Sequence, residues 1–365
     1  MRRKTSNVKR ETPEDPVSSV SRLASHVSRL TFHILTKTAN MILAGDCGGT
    51  KTELALYEKK NKKPVKVISE KYFNKDFSTL EDIIFSFLRD KNAKIESACI
   101  GIAGPVENGK VISTNLLWDL DEKSLSKTLG IEKFKLANDL EAIAAAVSVI
   151  EEKDLIIIHK GSGSNYQANK VIIAPGTGLG VAALIDDGDK YKIVATEGGH
   201  TDFAPTNEIE IELLKYLKKE FKHVSCERVT SGLGLVNIFN FLKITWYSHI
   251  NEELSARIEN EDPSAVISDE ALKKNNPICV KTLDIFASVL GAVSGNMVLN
   301  YRATGGLYFG GGIPLKIIEK FKDGIFMKSF LNKGRLSYIV EKTPVYIIND
   351  ESAGTSGAAL LALQL

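Results

Sequence analysis

Cysteine is scarce and scattered. Cys47, Cys99, Cys226 and Cys279 are the only four in 365 residues, and no two form a C-x-x-C pair, which excludes the usual structural-zinc spacings. Four dispersed thiols in a chain this long read as reduced, buried side chains in a cytosolic setting, so a cytoplasmic location is expected. No run of about 18 apolar residues occurs, and no membrane-spanning helix is expected. No repeat with a period of about 20–50 residues is present, which excludes a solenoid. A basic excess is also missing from most of the chain. The net charge is +2, but residues 1–40 alone carry +5 and residues 41–365 carry −3. The body therefore lacks the electrostatic footprint of a nucleic-acid binder.

What remains is an ordinary globular composition, 43% hydrophobic and 25% charged, long enough for two domains or one large one. The first forty residues stand apart. Ser21-Arg22-Leu23-Ala24-Ser25-His26-Val27 is followed at once by Ser28-Arg29-Leu30-Thr31-Phe32-His33-Ile34, a seven-residue repeat. Leu23, Val27, Leu30 and Ile34 would share one helical face. Three readings stay open: an amphipathic targeting or partner helix, a disordered tail, or translated repetitive sequence upstream of a start at Met41. The strand expected to begin at Met41 favours the last.

From Met41 onward strands and helices alternate, which predicts an α/β fold. Strands are expected at 41–44, 53–57, 66–72, 98–103, 134–137, 154–158, 171–174, 181–185, 192–195 and 305–309. Helices are expected at 78–88, with Ser78 as N-cap and Glu81 closing a capping box, and at 140–149, 208–219, 283–299 and 354–363.

Four segments at strand ends carry the candidate chemistry, where α/β proteins place ligands. Asp46-Cys47-Gly48-Gly49-Thr50-Lys51-Thr52 reads as strand, glycine turn, strand. Ala174-Pro175-Gly176-Thr177-Gly178-Leu179-Gly180 reads the same way. Its glycine spacing and the strand after it are wrong for a dinucleotide fingerprint. Phe309-Gly310-Gly311-Gly312-Ile313-Pro314 joins a strand to a helix, and Ala137-Asn138-Asp139-Leu140-Glu141 begins another. Backbone N–H groups in such turns form anion-binding concavities. Paired glycine-threonine hairpins suit a nucleoside triphosphate held from two sides, although each alone could be a plain tight turn.

The first turn, Gly45-Asp46-Cys47-Gly48-Gly49-Thr50, resembles the first phosphate loop of sugar kinases with the actin-like ATPase fold. Further segments resemble the bacterial glucokinase family: Gly101-Ile102-Ala103-Gly104-Pro105-Val106, Thr114-Asn115-Leu116-Leu117-Trp118, Asn138-Asp139-Leu140-Glu141-Ala142, Gly176-Thr177-Gly178-Leu179-Gly180, Glu197-Gly198-Gly199-His200-Thr201-Asp202-Phe203-Ala204-Pro205 and Glu227-Arg228-Val229-Thr230-Ser231-Gly232. The resemblance spans about Met41 to Leu365, and the Glu-Gly-Gly-His segment is its most specific part. Cys47 stands where the family usually has an aliphatic residue, and Leu117 and Leu315 stand in place of prolines. The cysteine-rich zinc segment of the related repressor and N-acetyl-sugar kinase group is absent.

The resemblance implies a two-domain actin-like ATPase (ribonuclease H-like) sugar kinase fold with an interdomain cleft. The small domain would hold 41–149 plus 345–365 and the large one 150–344. The implied reaction is ATP-dependent phosphorylation of glucose at the 6-hydroxyl. The rivals are a kinase for another hexose or with another phosphoryl donor, and a non-catalytic sugar sensor. Asp139 would be the catalytic base, or only a helix N-cap. Asn138, Glu197, His200, Glu227 and Asn115 would bind sugar hydroxyls, with structural roles open for His200, Glu227 and Asn115. Asp46, Gly48, Gly49, Thr50 and Lys51 would hold ATP together with Gly176, Thr177 and Gly178, with a plain solvated side chain open for Lys51. Gly310, Gly311 and Gly312 would let the adenosine lie against the backbone. Asp46 would place Mg²⁺ through water. The implied partners are glucose or a close hexose, with no nucleic acid and no membrane, and a homodimer is admitted.

Overall fold

The computed structural model describes residues 40–61, 63–111, 118–163, 167–246 and 250–365. The expectations for residues 1–39 and for Asn115 lie outside the described residues. In chain order the first part contains β1 (Asn40–Cys47), β2 (Lys51–Lys60), β3 (Lys63–Phe73), α1 (Leu80–Leu88), β4 (Lys94–Ile102), β5 (Val106–Glu107), β6 (Lys110–Val111), α2 (Glu122–Leu129), β7 (Lys133–Asn138) and α3 (Asp139–Val147). The second contains β8 (Leu155–His159), β9 (Lys170–Pro175), β10 (Leu179–Asp186), β11 (Tyr191–Thr196), α4 (Glu208–Leu217), α5 (Gly232–Thr245), α6 (Glu252–Asn260), α7 (Pro263–Leu272) and α8 (Pro277–Tyr301). It closes with β12 (Gly306–Phe309), α9 (Gly312–Lys316), α10 (Ile318–Lys322), α11 (Ile325–Leu331), α12 (Ser337–Lys342), β13 (Val345–Ile348) and α13 (Ala353–Ala362).

Two sheets organise the molecule. The first runs β3-β2-β1-β4-β7, with β1 parallel to β4 and β4 parallel to β7. Successive side chains of a strand point to opposite faces. Met41, Leu43 and Cys47 therefore pack with Leu80, Ile83, Ile84 and Phe87 of α1 on one face. Ile42 and Ala44 face the other way, onto alanines of α3 and α13. Both faces are covered, so β1 reads as a continuous apolar run rather than an alternation.

The second sheet runs β11-β10-β9-β12-β13-β8. One face carries the main helical core around α8, and the other packs Ile172, Ala182, Leu184 and Tyr308 against Leu140, Ala144 and Val147 of α3. Helix α3 is thus shared: Ala142 and Ala145 face the first sheet, Leu140, Ala144 and Val147 the second. Its alanines let α13 approach closely. A Cβ at Gly357 would overlap the carbonyl oxygen of Ala142.

Local expectations shift at several points. The N-cap of α1 is Thr79, not Ser78. Thr79 Oγ1 accepts from Asp82 N and Asp82 Oδ2 accepts from Thr79 N, each at 3.1 Å, so the capping box spans 79–82. Helix α3 begins at Asp139 and is capped by Asn138. Val345–Ile348 forms a strand, hydrogen-bonded between β12 and β8. The second sheet therefore runs past residue 344, and the chain returns to the first sheet only with α13. One helix among the described residues, α8, is long and apolar enough to cross a membrane. In this fold 78% of its most apolar window is buried, as a core helix requires.

Candidate active site

The carboxyl ends of β1, β4 and β7 lie side by side. Asp46 is level with Gly101, and Ile102 with Asn138. The chain then turns from β7 directly into α3. Asn138 Oδ1 accepts from Leu140 N at 3.0 Å and Glu141 N at 3.4 Å, while its Nδ2 donates to Gly104 O at 2.9 Å. A cap of this kind stabilises a helix by about 0.5–2 kcal/mol. It also leaves Asn138 at most one amide N–H for a ligand. Asp139, first residue of the helix, accepts from Leu140 N at 2.8 Å. The N-cap role thus belongs to Asn138, and Asp139 keeps a carboxylate oxygen for other work.

Two carboxyls share this corner. Burial pushes the Asp139 carboxyl above its usual range, against the lowering effect of the Leu140 N–H and Asn138. Asp46 is pushed up to about 6, mainly by burial, then by the charges of Asp139 and Glu53, with Lys71 opposing. Lys71 Nζ sits 3.6 Å from Glu53 and 3.2 Å from Glu351. Helix α13 abuts Asp46: a Cβ at Gly354 would lie 2.5 Å from Asp46 Oδ2. Neither Gly354, Glu53 nor Lys71 carries a signal in the sequence; only folding brings them here.

Gly48, Gly49 and Thr50 form the turn between β1 and β2. Gly48 N donates to Lys51 O at 3.0 Å. Gly49 and Thr50 are exposed, and Lys51 Nζ lies 4.9 Å from the centre of the Phe73 ring. Beneath the turn, burial raises the Cys47 thiol to about 11, which makes it unreactive.

The second hairpin closes with Gly176 N donating to Gly178 O at 2.9 Å, and its Gly176 O accepts from Gly232 N, at the start of α5, at 2.8 Å. Glu227 lies over it. Glu227 Oε2 accepts from Leu179 N at 2.9 Å, and a Cβ at Gly178 would fall 2.5 Å from that oxygen. The other oxygen, Oε1, is 3.9 Å from His200 Nε2. His200 is exposed, as is Glu197, whose carbonyl accepts from His200 N at 2.9 Å. Cys226 N donates to Thr201 O at 2.8 Å, so the segments around 200 and 227 are stitched together beside the hairpin. Thr177 lies in the same turn. Gly310, Gly311 and Gly312 adjoin it. Gly310 N donates to Ile173 O at 3.0 Å, and Gly311, at φ +80°, has its Cβ direction 3.0 Å from Pro175 O. A side chain would be strained there.

The two halves meet through α3. A Cβ at Gly180 would be 2.9 Å from Leu140 Cδ2, so the residue after Asp139 rests on the start of β10. The structure therefore brings Asp46, Asn138 and Asp139 into one group and Gly176–Gly178, His200 and Glu227 into another, with α3 joining them. A cavity of about 290 Å³ lies elsewhere, lined by Thr201, Asp202, Cys226 and Val289, Val293 and Met297 of α8. None of Asp46, Asp139, Glu197 and Glu227 lines it. Among the described residues no group of three or more His, Cys, Asp or Glu is placed to hold a metal ion. Two adjacent carboxyls, both partly buried, suit a cation that keeps most of its water, as Mg²⁺ does.

A family model described as Glucokinase matches residues 43–365. The chain belongs to the glucokinase family. Within the family it is 38% identical over 340 residues to a glucokinase of Nostoc punctiforme, covering 89% of this chain and 99% of that one. Among solved structures, a glucokinase from an Antarctic psychrotroph superposes with a TM-score of 0.78 at 26% identity, over 89% of this chain and 99% of the other. A ROK-family glucokinase from Streptomyces griseus, solved with glucose and AMPPNP, matches with a TM-score of 0.59 at 20% identity, over 89% of this chain and 100% of the other. That likeness carries the fold alone. The fold is the actin-like ATPase fold of sugar kinases, and this glucokinase-family chain is an enzyme.

Proposed function

We propose that this glucokinase-family enzyme phosphorylates glucose at its 6-hydroxyl with ATP, giving glucose 6-phosphate and ADP, and that Asp139 is the base. The observation that carries the reading is the position of Asp139. It heads a helix shared by both sheets, in a desolvated corner that raises its carboxyl, with its own cap role taken over by Asn138. A raised carboxylate is a better proton acceptor near neutral pH.

The sugar lies between Asp139 and the Glu197–His200–Glu227 segment. Asp139 accepts the 6-hydroxyl proton as that oxygen attacks the γ-phosphate. Glu227 and His200 hold ring hydroxyls, the exposed carboxylate of Glu197 another, and Asn138 its remaining N–H. Glu227 also grips the hairpin at 176–178, so the group that orients the sugar orients the phosphate loop. The turns at 48–50 and 176–178 supply backbone donors to the phosphates, and Gly310–Gly312 admit the nucleoside. Asp46, with Asp139 beside it, would hold hydrated Mg²⁺, which supplies charge neutralisation for the transferring phosphoryl group. The two sheets with their helices act as domains of residues 40–149 plus 353–365 and 150–348, closing on glucose to exclude water.

The test is a coupled assay of the purified protein with Mg-ATP across several hexoses, with Asp139→Asn alongside. Glucose should give the highest kcat/KM. Asp139→Asn should lose about 10²–10⁴-fold in kcat with KM for glucose within a few-fold. Turnover within tenfold of wild type would overturn the base assignment. Glucose binding without transfer in the wild type would overturn the reaction.

A further inference from the structure

We propose that Asn74 is a positioning residue for the first phosphate turn, and that it sets the affinity for ATP without touching it. The inference rests on the reading of residues 48–50 as a phosphate site. Asn74 follows β3 directly and is fully buried (0% exposed). All four of its polar groups are engaged. Its backbone N–H donates to Thr50 O at 2.9 Å, and its carbonyl accepts from Phe77 N at 3.1 Å. Its side-chain Nδ2 donates to Gly48 O at 2.7 Å, and its Oδ1 accepts from Thr52 Oγ1 at 2.8 Å. Gly48 O can only accept, so the amide nitrogen must face it, and the orientation of the side chain is fixed by chemistry.

Three of these bonds reach the turn or the residue that closes it. They hold the carbonyls of Gly48 and Thr50 toward Asn74. In a trans peptide the N–H points opposite to the C=O. Fastening Gly48 C=O inward therefore aims Gly49 N–H outward, to the exposed side of the turn where a phosphate oxygen would sit. A loose glycine pair would have to pay for that orientation each time ATP binds. Asn74 removes this cost in advance. Thr52, itself 0% exposed, locks the amide from the other side: its single hydroxyl proton goes to Asn74 Oδ1, and Cys47 Sγ lies 3.3 Å from the same hydroxyl oxygen.

Two substitutions isolate the effect. Asn74→Asp keeps shape and the Thr52 contact but turns an acceptor toward Gly48 O. Thr52→Val removes the hydroxyl that fixes the amide, while Thr52→Ser retains it. ADP affinity is measured by calorimetry, and KM for ATP and for glucose by steady-state kinetics. Asn74→Asp and Thr52→Val should weaken ADP binding and raise KM for ATP about tenfold, with KM for glucose within twofold; Thr52→Ser should stay near wild type. A lowered melting temperature with unchanged ADP affinity in the folded protein would overturn the proposal, as would equal effects of Thr52→Ser and Thr52→Val. If Asn74→Asp does not fold, the Thr52 pair decides alone. Wild-type protein that binds no ADP would overturn the phosphate-site reading itself, an outcome separate from these.

Discussion

Asp46 is held in a state that favours binding over stability. Its carboxyl is raised to about 6 by burial and by Asp139. A group whose folded pKa lies above its unfolded value of about 3.8–3.9 binds protons more tightly in the folded state. Stability therefore falls as pH rises from about 4 to about 6, and the penalty is complete above that. Its size is at most about 3 kcal/mol for a shift of about two pKa units. In chelator, without substrates, Asp46→Asn should melt above wild type at pH 7.5 and converge with it as the pH falls below about 4, while its activity with Mg-ATP drops. A variant that melts below wild type at pH 7.5 would contradict the burial argument. The place of Asp46 beside a glycine turn was legible in the sequence, because an acid next to such a turn is a local pattern. Its strained ionisation was not, because Asp139 and Gly354 reach it from 93 and 308 positions away.

At the scale of elements, α3 is decisive. An alanine-rich stretch at 140–149 predicts a helix, but not which sides of it are used. The structure gives one side to each sheet. Its contact with α13 depends on small residues, since Gly357 meets the backbone of Ala142. Gly357→Ala should force the two helices apart, costing about 1–3 kcal/mol as overpacking usually does. An unchanged thermal unfolding curve would count against this packing. Strand β13 was invisible for a related reason: a central strand of four residues has too few positions to establish a period, and its place between β12 and β8 is a long-range choice.

Across the whole molecule, α3 contacts both sheets, so a movement of one half relative to the other is felt at Asp139. Solution scattering with glucose and a non-hydrolysable ATP analogue should give a smaller radius of gyration than the free protein. Identical scattering would exclude closure. The sequence by itself determined the α/β class and the strand-turn-strand hairpins at 46–52 and 174–180, because periodicity, glycine turns and capping act over a few residues. Only the tertiary structure decided which ends meet. It placed Glu227 on the hairpin at 178–179, Asn74 under the turn at 48–50 and the last helix against Asp46. These contacts join residues 24 to 308 positions apart, and they are selected by burial and packing of both sheets together rather than by any local pattern.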